Sequence, residues 1–95
     1  MSNNIRLEAV IIALEPVRYT PNGTPVLSML LEHSSEQNEA GQTRKTAFTL
    51  SAKQINPQNS LWHVGDKVKV AGFLNSKSIR NPELILHIQQ IERIE

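Results

Sequence analysis

The run Lys67-Val68-Lys69-Val70-Ala71-Gly72-Phe73-Leu74 alternates lysine with valine and so carries the period of a β-strand with one wet face. Val68, Val70 and Leu74 are expected to face a core, while Lys67, Lys69 and Phe73 share the other face. Gly72 breaks the pattern. A glycine inside a strand has no side chain to pack and marks a bulge or the bend by which a sheet curls into a barrel. The preceding Val64-Gly65-Asp66 reads as the turn that leads in.

Working outward, the same period recurs. Ile5-Arg6-Leu7-Glu8-Ala9-Val10 alternates, with Ile5, Leu7 and Ala9 on one face. Val10-Ile11-Ile12-Ala13-Leu14 is then apolar without interruption, which predicts burial on both sides. A barrel core covers one side; a symmetric second copy is the economical cover for the other, placing Val10, Ile12 and Leu14 at a homodimer interface. In Arg18–Pro25, Pro21 presets φ and Asn22-Gly23 accepts positive φ, so a turn is expected. Val26 to His33 is a second strand, Ser34 to Thr43 an exposed polar loop, and Arg44 to Leu50 a third strand with Thr46, Phe48 and Leu50 on one face. Ser51 to His63 has no clean period and reads as loop, with at most one helical turn before Pro57. Asn75 to Glu83 is a basic loop, and Leu84 to Ile94 the fifth strand. One domain over residues 1–95 is expected, all-β with little or no helix: a five-stranded Greek-key barrel. A sandwich usually wants more strands.

Composition narrows the function. The 95 residues include no cysteine, which excludes disulfides, thiolate metal sites and cysteine nucleophiles and is compatible with a reducing cytosol. No stretch of the sequence has the length of a membrane span or the apolar core of a signal peptide. The net charge of +1 hides a polarised distribution. Arg44, Lys45, Lys53, Lys67, Lys69, Lys77 and Arg80 face Asp66 alone within residues 44–82, whereas carboxylates outnumber cations on either side. A basic middle suits a polyanion partner; a solvated face of anti-aggregation lysines is the plainer alternative. There is no glycine-rich phosphate loop, paired-histidine zinc motif or nucleophile elbow. His33, His63 and His87 are isolated in sequence and read as ordinary polar residues. No catalytic residue, metal site or cofactor is expected.

Several segments resemble a known family. Asn4–Ile11 and Arg18–Val26 are similar to the first strand and following turn of bacterial single-stranded-DNA-binding proteins. Glu32-His33-Ser34-Ser35, Glu39-Ala40-Gly41 with Arg44, Gly65–Leu74 and Leu86–Glu92 resemble the primosomal replication protein N (PriB) family within that superfamily. The fragments run in order along nearly the whole chain. The resemblance implies an OB-fold homodimer in the bacterial cytoplasm. It implies a non-enzymatic role in replication restart, with single-stranded DNA, the restart helicase and a downstream primosome factor as partners. The glycine-rich, acidic-tipped tail typical of the abundant single-strand binders is not seen in this sequence, which suits an accessory factor. The alternatives are a protein-interaction module with little DNA binding of its own, or a general single-stranded nucleic-acid-binding protein.

An OB-fold holds a single strand with cations along the phosphates and flat side chains under the bases. The expected nucleic-acid-binding residues are Arg18, Tyr19, Arg44, Lys45, Lys67, Lys69, Phe73, Lys77 and Arg80. Phe48 shares a strand face with Leu50 and is expected toward the core, with base stacking as its alternative. Trp62 either stacks bases or plugs the barrel end. The family tends to carry aromatics where this chain has Gln42 and Ala47. That difference predicts weak binding led by phosphate contacts.

Overall fold

The computed structural model describes residues 1–57 and 61–94. Six strands follow one another: β1 Ile5–Leu14, β2 Arg18–Tyr19, β3 Pro25–Glu39, β4 Gln42–Ile55, β5 Lys67–Ser76 and β6 Leu84–Arg93. The described residues include no helix. The sheet runs β1-β5-β6-β4-β3 and closes on itself through a β1–β3 pairing, with β2 as a short appendage to β3. Among the described residues only the β4–β6 contact is parallel. This is the five-stranded OB-fold barrel, and each barrel strand supplies its core: Ile11, Leu31, Ala52, Val68, Val70 and Leu86 are almost wholly buried. Each large aliphatic side chain removed from water in this way contributes roughly 1.5–3 kcal/mol.

Two ladder irregularities shape the barrel. At Gly72 the β5–β6 register shifts: Ala71 faces Gln90 while Gly72 faces Ile88, leaving Gln89 as the extra residue. A Cβ on Gly72 would overlap the carbonyl oxygen of His87. The glycine is thus required by close approach of the neighbouring strand, and the bend expected there is present. The second irregularity lies in β1, where Ile11 faces Leu31 but Ala13 faces Leu30, so Ile12 is inserted. Beyond this bulge the alternation changes phase. Leu14 packs against the core and Ala13 is exposed. Leu14, half-buried, therefore has neighbours inside one chain and also lines an open cleft with Tyr19 and Leu61. Val10 and Ile12 stay half-buried.

The hairpin of β3 and β4 departs most from expectation. Residues 34–43, read as a loop, continue both strands, with paired residues from Ser34↔Ala47 out to Glu39↔Gln42. Ala40 (φ 51) and Gly41 (φ 79) both take positive φ, which is the type I′ geometry that matches strand twist. The polar side chains concealed the strand because most of this arm has water on both faces. β1 leaves β3 at Glu32, and β6 joins β4 only at Ser51. The arm makes the molecule 50 Å long, with a radius of gyration of 14.4 Å. A compact chain of this length would have about 12 Å.

Ser51 to Ile55 is also strand, not loop, because β3 on one side and β6 on the other supply backbone partners whatever the side chains. The rest of the expected connection includes residues 58–60, which lie outside the described residues. In the first turn Gly23 has positive φ (83) and donates its N–H to Thr20 O at 2.8 Å; Asn22 stays at negative φ.

Candidate nucleic-acid interface

The expected site residues fall into four groups. Arg44, Lys45 and Phe48 ride on the hairpin arm, Lys67, Lys69 and Phe73 on β5, Lys77 and Arg80 on the β5–β6 loop, and Arg18 and Tyr19 on β2. The alternation that buries Val68 and Val70 turns Lys67 and Lys69 outward.

Carboxylates meet several of these cations. Glu39 lies 3.7 Å from Arg44, and Glu83 accepts a 3.1 Å hydrogen bond from Lys77 Nζ. Lys45 faces Glu36 across the arm. Lys69 sits in register with Glu8 of β1 and with Glu92 of β6. The basic middle of the sequence is thus largely offset by acids from its two ends once the chain folds. Exposed pairs of this kind are worth about 0–1 kcal/mol each, so a phosphate can exchange with them at small cost.

Phe48, expected toward the core, is 40% exposed. It keeps the inward phase where the arm passes the end of the barrel, and there it borders an open apolar pocket with Ile5, Leu7, Leu50 and Leu74, side chains that pack on the core. Its ring also lies 5.0 Å from that of His33, the residue facing it in β3. His33 Nδ1 hydrogen-bonds Glu8 O at 2.7 Å and Nε2 hydrogen-bonds Ser35 Oγ at 2.7 Å, which fixes the imidazole at the base of the arm.

Trp62 packs against the core, closing the gap left where β4 ends beside β6. A clamp holds it. Arg93 Nη2 donates to Asp66 Oδ2 at 2.9 Å and to Leu61 O at 2.7 Å, and its guanidinium lies 4.9 Å from the Trp62 ring centroid. The His63 N–H also donates to Asp66 Oδ2 at 2.9 Å. That backbone hydrogen bond, then the Arg93 hydrogen bond, hold the Asp66 carboxyl below its ordinary pKa of 3.8.

The indole is not sealed in. One of its sides lines a groove of about 580 Å³ with Lys53, Gln54, Phe73, His87 and Gln90, and another lines a cleft with Val17, Tyr19 and Leu61. In the groove Phe73 and His87 face each other across β5 and β6, their rings stacked at 4.7 Å and inclined by 8°. Lys53 is the next residue in the row, opposite His87 on β4. Burial, then the Lys53 charge, push His87 below its ordinary pKa of 6.5. A neutral imidazole is the form that stacks on phenylalanine at pH 7.

A model of a family described as another single-strand binding protein family matches residues 3–90. The replication restart protein PriB of Neisseria gonorrhoeae is 39% identical over 93 residues, covering 96% of this chain and 93% of that one. The chain belongs to the PriB family. The solved PriB protein from Ralstonia solanacearum superposes with a TM-score of 0.86 at 26% identity, over the full length of both chains. The dimeric N-terminal domain of the PriB protein from Thermoanaerobacter tencongensis superposes with a TM-score of 0.70 at 22% identity, over 98% of this chain and 97% of that one.

In this member of the PriB family, Lys53 was legible in sequence only as part of the basic middle and His87 only as an isolated polar residue, and neither pointed to this groove. Both lie in segments whose outer face is visible only once β4 is known to continue to Ile55 beside β6. The signal was the parallel contact itself, which no local pattern announces. Gln42 and Ala47 are exposed positions of the arm and present no flat ring to solvent.

Proposed function

We propose that this protein is a non-enzymatic, cytoplasmic accessory factor of DNA replication restart that binds single-stranded DNA on the outside of its OB barrel. Membership of the PriB family carries this reading. It is supported by outward cations on β5 and the β5–β6 loop, and by the partly exposed aromatics Phe48, Phe73 and Trp62. With Gln42 and Ala47 in place of flat side chains, and with several cations already facing carboxylates, the grip is modest and led by phosphates.

The functional unit in this reading is a homodimer joined through the outer side of β1, with Val10 and Ile12 under the partner subunit. The half-buried state of both residues supports it, as does the dimeric PriB domain named above. The restart helicase and a downstream primosome factor are the protein partners. A second reading, a protein-interaction module, is favoured by one observation: Val17, Tyr19 and Leu61 are 42%, 70% and 79% exposed around a single cleft. Charge reversal of Lys77 and Arg80, assayed in parallel for oligothymidine and for the restart helicase, separates the two. The first reading predicts weaker DNA binding. Lost helicase binding with unchanged DNA binding would favour the second.

A further inference from the structure

We propose that the row Lys53–His87–Phe73, with the groove beside it, is a one-nucleotide subsite in which a base stacks on the paired rings and Lys53 takes the adjoining phosphate. The inference rests on the single-strand-binding reading and gives that binding a place on the barrel.

Four observations converge. The residues are successive cross-strand neighbours, Lys53 facing His87 in the parallel β4–β6 ladder and His87 facing Phe73 in β5–β6, so the backbone fixes their spacing. The two rings are nearly parallel, stacked at 4.7 Å and inclined by 8°, so that a base adds to the outer face of the stack, a contact open to any base. Lys53 has no carboxylate within ion-pair distance among the described residues, unlike Arg44 and Lys77, so its charge is available without breaking a contact. The groove holds about 580 Å³, within the range of small-ligand sites, and ends on Trp62 under the Arg93 guanidinium.

The test compares the wild-type protein with Lys53→Met and Phe73→Leu for binding of fluorescent oligothymidine over a series of salt concentrations. Melting curves confirm that each variant is folded. Phe73→Leu keeps apolar bulk on the sheet and removes the flat face; affinity should fall about 5- to 150-fold. Lys53→Met should lower the slope of log K against log salt by about 0.7, one phosphate's worth on a single strand, a change that a merely structural residue does not produce. Wild-type binding with unchanged affinity and slope in both folded variants overturns the subsite and leaves the broader reading standing. Absence of binding by the wild type at low salt overturns both.

Discussion

Gly72 and His87 meet where β5 and β6 approach too closely for a side chain. Gly72→Ala places a methyl group on the His87 carbonyl, a clash with backbone that no rotamer relieves. The expected cost is about 3 kcal/mol, read as a fall in melting temperature of at least ~10 °C. His87 itself makes stability depend on pH. Its folded pKa lies below 6.5, so the unfolded chain takes up the proton more readily. The contribution of the neutral ring is complete above pH 6.5 and is lost as pH falls through and below that value. Urea unfolding at pH 7.5 and pH 5.5 should show this loss in the wild type and less of it in His87→Gln. Gly72 was legible from sequence, since a glycine amid alternating valines forgoes packing that a strand would otherwise use and so marks a bend. His87 was not, because its environment is made by residues 14 and 34 positions away in the chain.

Among the elements, the β3–β4 hairpin shows where reading by pattern stops. Strands that bury one face announce themselves by alternation, as Lys67–Leu74 did. The arm beyond Glu32 has no core to face, so selection for apolar side chains is absent and Ser34–Thr43 looked like loop. The Ala40-Gly41 turn was a faint signal because alanine is an unfavourable residue at positive φ. That gives a prediction: Ala40→Asn should stabilise the arm by about 0.5–1 kcal/mol, since asparagine tolerates the left-handed region better. Slower hydrogen exchange at the Gln37 and Arg44 amides, a hydrogen-bonded pair two residues back from the Glu39–Gln42 pair that closes the turn, would report it. The β1 bulge makes the complementary point, for a single inserted residue turns Leu14 toward the core out of phase with Ala9 and Ile11.

For the whole molecule, the five-stranded barrel was legible because closure demands few and strong signals: alternation, a bending glycine and turns in the right places. The site was legible only in kind. Sequence located the cations but not the carboxylates that the fold brings beside them, as Glu8 and Glu92 flank Lys69. If Val10 and Ile12 form the seam between two copies, Val10→Glu with Ile12→Glu should yield a folded monomer in sedimentation velocity at micromolar concentration. A wild-type monomer under the same conditions would remove the seam. A modest, phosphate-led grip on single-stranded DNA shows itself in the equilibrium binding of labelled oligothymidine at increasing salt. Binding is expected at low salt, with log K falling linearly with log salt at a slope of about 0.7 per neutralised phosphate. Tight binding indifferent to salt, or none at low salt, would contradict it.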